Sequence, residues 1–179
     1  MAEASYWTEG KLLILYLLER LGFDIPRASL EMAALKMRWL TFFDLQQSLG
    51  ELEQSGLIEL YSRDDQAMVR LAEAGREALP LFLGKLSHDQ IDRAEEFLQD
   101  HRAQLRRASQ AWATYQVTGE GQVSVVMKMA ERDLLLMEVV LNLPDEQQAA
   151  QMVERFADRA DEAYQALIKV LGEDTSNNP

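Results

Sequence analysis

The stretch TFFDLQQSLGELEQSGLIEL, residues 41–60, decides the fold of the first half of the chain. Its apolar side chains recur at the spacing of one helix face, namely Phe42, Leu45, Leu49 and Leu52. Thr41 with Asp44 three residues later predicts a capped helix start, and Gly56 predicts its end. Residues 57–61 then predict a short strand. The stretch therefore predicts a helix that ends at a glycine and continues directly into a strand.

Helices are also predicted on both sides of this stretch. The first covers residues 8–21 with Thr8 as its N-cap, and the second covers residues 26–37. A returning strand at residues 67–71 completes a hairpin, and a further helix follows from about residue 72 to residue 84. Three helices and a two-stranded hairpin in this order predict an N-terminal winged helix-turn-helix.

The second half of the chain has a different pattern. A long helix is predicted from a cap at Ser87 to residue 113, and a last helix from residue 145 to residue 171. Between them lies a predicted three-stranded antiparallel meander, with strands at residues 114–118, 122–130 and 133–143. In the second strand Val123, Val125, Met127 and Met129 are expected on one face, and both faces of the third strand are expected to be covered. The fold class is therefore α+β.

These patterns predict three regions: a winged-helix domain at residues 1–86, an α-β-β-β-α domain at residues 87–171 that dimerises or senses a signal, and a disordered tail at residues 172–179. The last helix has the 4-3-4-3 apolar spacing of a helix that packs along another helix. Its partner is either the long helix of the same chain or a second subunit. We expect a homodimer that forms through the C-terminal half.

Composition sets limits on compartment and partners. The 179 residues contain no cysteine, which excludes disulfides and cysteine-bound metals. The longest apolar run, residues 12–18, is too short to span a membrane, and a basic signal sequence is absent, so a cytoplasmic protein without membrane contact is expected. The net charge is −12, which repels nucleic acid at long range. Any DNA binding then requires a local cluster of basic residues.

Several segments resemble known families. LGELEQSGLIEL followed by VRLAEAGREAL is similar to the third helix, wing and next helix of winged-helix regulators of the MarR and PadR groups. KLLILYLLERLG, FFDLQQSLGELEQSGLIEL and the meander ending in LNLP resemble more closely an uncharacterised bacterial winged-helix family that is catalogued as a domain of unknown function. That resemblance spans roughly residues 9–171. It implies a regulatory protein and transfers no catalytic or ligand-binding residue.

The outward face of the third helix predicts what the protein binds. With the apolar face inward, that face carries Phe43, Asp44, Gln47, Gly50, Glu51 and Gln54. In a DNA-binding regulator this face enters the major groove, where Gln47 and Gln54 bond adenine edges and Gly50 permits close approach. The surrounding cations expected to contact phosphates are Arg27, Lys36, Arg38, Arg63 and Arg70.

A different use of the same face is contact with a protein. Aromatic residues are enriched and lysine is depleted at interface cores, and the third helix carries no lysine. Trp39 and Phe42 are expected in the core, whereas Phe43 is expected outside, where it and the acidic face would dock a protein partner. No motif of a nucleophile, phosphate loop or metal site is present, so catalysis, a cofactor and a metal are not expected.

Overall fold

The computed structural model describes residues 9–64, 66–118, 121–131 and 134–172. Contacts divide the chain into two compact units, Met1–Ser109 and Gln110–Pro179. These described residues form six α-helices and two three-stranded antiparallel sheets, so the predicted α+β class is confirmed. None of these helices combines the length and the apolar character that crossing a membrane requires.

The first helix, α1 (Glu9–Leu21), forms the centre of the first unit. Apolar residues surround it on nearly all sides, and it is accordingly buried along almost its whole length. It ends as predicted at Gly22, whose φ of +70° lies in the left-handed region and whose N–H donates to the Leu18 carbonyl. The predicted cap at Thr8 lies outside the described residues.

The next elements assemble a small sheet beside two helices. A two-residue strand β1 (Ile25–Pro26) precedes helix α2 (Arg27–Lys36), and helix α3 (Phe42–Gln54) follows after a short turn. The hairpin strands β2 (Ile58–Arg63) and β3 (Gln66–Leu71) pair as predicted, and β1 adds to the other edge of β3. Sequence periodicity did not predict β1, because two residues are too short to show a pattern.

Helices α4 (Glu73–Phe82) and α5 (His88–Gln110), with a 3-10 turn at Leu83–Lys85 between them, complete the first unit. Two polar contacts hold α5 against α1. Glu95 accepts hydrogen bonds from the Tyr16 hydroxyl at 2.6 Å and from Arg20 Nε at 2.6 Å, and burial together with this bond raises the pKa of Tyr16 to about 12. Arg102 donates to the last carbonyl oxygens of α1, those of Arg20 and Leu21, and so caps that helix.

The end of α5 corrects the sequence prediction. The helix was expected to reach residue 113, but it ends at Gln110 and strand β4 (Ala111–Val117) begins at once. Residues 111–113 pair with Met127–Met129 of the neighbouring strand, and these hydrogen bonds replace those that a longer helix would make for the backbone groups facing β5. The contact boundary after Ser109 places α5 in the first unit, whereas the prediction began the second region at residue 87.

The second unit consists of the predicted meander and one helix. Strands β4, β5 (Val123–Glu131) and β6 (Leu134–Leu143) form the sheet in sequence order, and helix α6 (Glu146–Gly172) packs on one face. The predicted inward residues of β5 are all buried, and they pack with three residues of α6, Ala149, Phe156 and Ala160. The predicted connecting residues 119, 120 and 132 lie outside the described residues, as do residues 173–179 of the predicted tail.

Apolar residues at two places in this unit remain exposed within the single chain. The second face of β6 was expected to be covered, and this chain alone leaves Leu134 and Val140 64% and 53% exposed. Leu167 and Val170, in the apolar stripe near the end of α6, are exposed as well, so packing of this stripe on a second subunit stays a prediction. The helix is roughly 40 Å long at 1.5 Å per residue, and the longest strand is roughly 33 Å, so the helix extends past the sheet.

Gly75 in α4 supplies the first prediction. A Cβ on Gly75 would lie 2.1 Å from the Leu57 carbonyl oxygen, which also accepts the Ala72 N–H where the hairpin meets α4. We expect Gly75→Ala to lower the free energy of unfolding by about 1–3 kcal/mol, because the backbone must move to admit the methyl group.

Gly50 in α3 faces open space, so Gly50→Ala is the matched control and should raise the free energy of unfolding by about 0.5–1 kcal/mol. Urea denaturation measures both, and equal effects would contradict this packing.

Candidate functional site on helix α3

The start of α3 is fixed by the cap that the sequence predicts. The Thr41 hydroxyl oxygen accepts the Asp44 N–H at 3.3 Å and donates its own proton to Asp44 Oδ2 at 2.7 Å. Asp44 also lies in the first turn, where a carboxylate interacts favourably with the helix dipole. This acid therefore has a structural reason to occupy the exposed end of α3.

Two aromatic rings are exposed beside this cap. Phe43 is 82% exposed, as predicted, but Phe42 is 51% exposed and not in the core. The two rings meet edge to face, with centroids 6.0 Å apart. Leu40 explains the error, because its side chain packs against Gly10 of α1 and fills the space at this end of the core. The buried face of α3 thus begins at Leu45, and both phenyl rings remain at the surface.

The second acid of the outward face, Glu51, pairs with a buried lysine. Lys11 of α1 is only 3% exposed, and its ammonium forms an ion pair with Glu51 Oε2. Gln47 Nε2 donates to the other oxygen of the same carboxylate at 2.7 Å. The hydrogen bonds from Lys11 and then Gln47 lower the pKa of Glu51. A buried ammonium is stabilised by such a counter-ion, so Glu51 has a structural reason to occupy this position.

Several side chains of the predicted outward face therefore make contacts within the protein. Of its six residues, Phe43, Asp44, Gln47, Gly50 and Gln54 are exposed and Glu51 is about one third exposed. Gln47 orients Glu51, and Asp44 caps the helix. Phe43 and Gln54 are exposed on this face, and the exposed ring of Phe42 lies beside it.

The cations predicted around α3 are mostly held by internal bonds. Arg27 pairs with Glu31 and donates to Gln46. Arg63 donates to the Ser109 carbonyl oxygen at 2.7 Å, and burial lowers its pKa. Arg70 makes two hydrogen bonds to Asp24 Oδ2, at 2.7 and 2.9 Å, and Asp24 also accepts the Tyr61 hydroxyl.

Lys36 and Arg38 lie in a different environment. They line one open depression together with Lys85 and Arg93, which the sequence analysis did not associate with them. Two carboxylates, Glu9 and Asp89, line the same depression, and Asp89 pairs with Arg93 at 3.1 Å. Arg38 is exposed and has the positive φ of +53° that the turn between α2 and α3 requires. The depression is a local concentration of positive charge in an acidic chain.

The described residues contain no group of three or more His, Cys, Asp and Glu side chains close enough to hold a metal ion. The surface around α3 combines exposed aromatic rings, a carboxylate-bearing helix face and, at the preceding turn, basic residues.

A family model matches residues 10–171, nearly the whole chain. The chain belongs to the family described as Domain of unknown function (DUF4364). No curated protein and no solved structure matches it.

The DUF4364 match covers both compact units, from the second described residue of α1 to the last turn of α6. Both units are thus parts of one family domain, and neither is an unrelated addition. The DUF4364 match does not test the resemblance to MarR-type and PadR-type regulators. A relationship to those regulators stays a prediction.

Proposed function

We propose that this DUF4364 protein is a non-enzymatic recognition module of the winged-helix type, and that the first turn of α3 binds a protein partner. The observation that carries the proposal is the exposure of Phe42 and Phe43, which are 51% and 82% exposed on adjacent positions. Contiguous apolar surface of this kind is typical of interaction sites.

The order of elements supports the winged-helix interpretation. Helices α2 and α3 are joined by a short turn and followed by the β2–β3 hairpin, in the order of a helix-turn-helix and its wing. In such folds the exposed face of α3 is the surface used for recognition. What that face carries therefore decides which class of partner fits.

Charge favours a protein over DNA at this face. Helix α3 contains Asp44, Glu51 and Glu53 and no basic residue. Among the described residues, Arg27 and Arg70 are paired with carboxylates, and Arg63 bonds a backbone carbonyl. Approach to phosphates would bring these acids against like charge, which costs free energy. A partner with basic side chains around an apolar groove is complementary to both features.

The energetics of such a contact depend on the two rings. Complete burial of a phenylalanine side chain contributes about 1.5–3 kcal/mol relative to exposure. Acidic residues at the margin increase the association rate with a basic partner and make it sensitive to salt. Phe43 is expected to be the dominant contact because it is the more exposed ring.

A photo-crosslinker tests this surface directly. p-Benzoylphenylalanine placed at Phe43 in the full chain, and irradiated in cells that naturally produce the protein, should give a discrete adduct with one protein. When a lysate is irradiated in place of the cells, adduct formation should fall as the salt concentration is raised before irradiation, because the contact joins acidic and basic groups. Phe42→Ala in the same background should reduce the adduct.

Leu81 supplies the matched control, because it is 78% exposed and apolar but lies on α4. The same crosslinker at Leu81 should not give that adduct. An adduct shared by positions 43 and 81, or no protein adduct at position 43, would contradict the proposal. An adduct with DNA at position 43 would replace the proposal by the second candidate.

That second candidate is the DNA-binding regulator that the sequence predicts. The depression lined by Lys36, Arg38, Lys85 and Arg93 favours it, because these cations lie at and beside the turn that precedes α3. Backbone phosphates are contacted mainly from such surroundings. DNA binding through this depression would depend on Arg38 and would weaken steeply with salt.

We also propose that the second unit binds a second copy of itself through β6. In the described residues this ten-residue strand pairs with β5 alone, and its other edge carries unpaired backbone groups. Leu134, Leu135, Val140 and Leu141 are exposed on it, and Glu138 is its single charged residue. Two copies of a chain with a net charge of −12 repel each other, so a surface with only one charged residue is suited to their contact.

Self-association through β6 is measured by sedimentation equilibrium of the full chain. Val140→Lys should weaken dimerisation at least about tenfold, because each copy would then carry a charge into an otherwise apolar interface. Gln151→Lys, at an exposed position of α6, adds the same charge elsewhere and should leave the equilibrium unchanged. A monomeric wild-type chain, or equal effects of both variants, would contradict this interface.

A further inference from the structure

A small apolar cavity lies between α2 and α5, within the first unit. Its volume is about 130 Å³, and its apolar wall includes Met32, Phe97, Leu105 and Ala108. For comparison, an apolar cavity of roughly 150 Å³ is large enough for a benzene molecule. The space therefore suits a compact hydrocarbon group of about six carbon atoms.

Polar side chains also line the cavity, namely Lys36, His101, Ser29 and Gln104. The Lys36 ammonium lies 2.6 Å from His101 Nε2. His101 Nδ1 lies 3.0 Å from the Phe97 carbonyl oxygen, and because a carbonyl can only accept, Nδ1 is the donor. Nε2 then accepts from Lys36. The imidazole is held in place by parallel stacking on Phe97, with ring centroids 4.3 Å apart.

The Lys36 ammonium has N–H donors left with which to bind an anion in this position. An ammonium has three N–H donors, and the bond to His101 uses one. Within the described part of the chain Lys36 has no carboxylate partner, and no Asp or Glu lines the cavity. The cavity thus combines an apolar body with one cationic end, which is the pattern of a site that orients an amphipathic ligand.

We propose that this cavity binds a small monocarboxylic acid, with its hydrocarbon part between α2 and α5 and its carboxylate on Lys36. The carboxylate accepts a charge-assisted hydrogen bond from the ammonium. The site goes beyond the recognition surface of α3 and does not depend on what that surface binds. It gives the first unit a ligand of its own.

Chain length and charge of the ligand test the proposal separately. The full chain, labelled with ¹³C at methionine methyl groups, is titrated with acetate, butanoate and hexanoate, and the Met32 methyl resonance is followed. Affinity should rise about fourfold per methylene group until the cavity is filled. Hexan-1-ol, which has the same number of carbon atoms and no charge, should bind roughly tenfold more weakly than hexanoate.

Two lysine variants identify the cationic end. Lys36→Met removes the charge at an exposed position and should make hexanoate bind as weakly as hexan-1-ol. Lys85→Met makes the same change at an exposed lysine outside the cavity and should leave hexanoate affinity unchanged. Ala108→Leu, checked for folding by circular dichroism, should abolish hexanoate binding by filling the cavity.

Three results would overturn the proposal. The first is an affinity that does not rise with chain length, since the apolar wall would then have no part in binding. The second is equal affinity for hexanoate and hexan-1-ol in the wild-type chain. The third is an equal loss of hexanoate affinity in Lys36→Met and Lys85→Met, which would indicate general charge attraction.

Discussion

The ion pair between Lys11 and Glu51 is the constraint on which the arrangement of the first unit depends. Lys11 is 3% exposed on the central helix α1, and an ammonium in that position is tolerable only with a counter-ion and hydrogen bonds. Glu51 supplies the counter-ion, and Gln47 holds the carboxylate from the same helix. The pair therefore favours the same rotation of α3 about its own axis as the burial of Leu45, Leu49 and Leu52, and with it the side chains that α3 directs outward.

This constraint accounts for the acidic character of α3. Glu51 neutralises Lys11 and Asp44 caps the helix, so two of its acids have roles in folding. Both acids nevertheless contribute negative potential at the surface beside Phe42 and Phe43. A helix with these requirements is poorly suited to phosphates and well suited to a basic partner, whereas the cations near the α2–α3 turn form a separate feature.

Local signals made much of this fold predictable. The spacing of Leu45, Leu49 and Leu52, the Thr41 cap and the alternation in β5 depend on neighbours in sequence, and all were predicted correctly. Phe42 was misplaced because its position depends on Leu40 packing against Gly10, which lies 30 residues before Leu40 in the chain. The end of α5 was misplaced for a similar reason, because strand pairing with β5 decides it. The candidate sites were less predictable, since Lys11 with Glu51 and Lys36 with His101 or Lys85 meet only through tertiary packing.

A double-mutant cycle on Lys11 and Glu51 tests most directly whether the ion pair of Glu51 with Lys11 stabilises the fold. The free energy of unfolding is measured by urea denaturation for Lys11→Met, Glu51→Gln and the double variant. We predict the largest loss for Glu51→Gln, which removes the carboxylate charge beside a buried ammonium, and a smaller loss for Lys11→Met, since Glu51 retains contact with water. The double variant should be more stable than Glu51→Gln alone. Additive losses, with the double variant the least stable, would contradict the account.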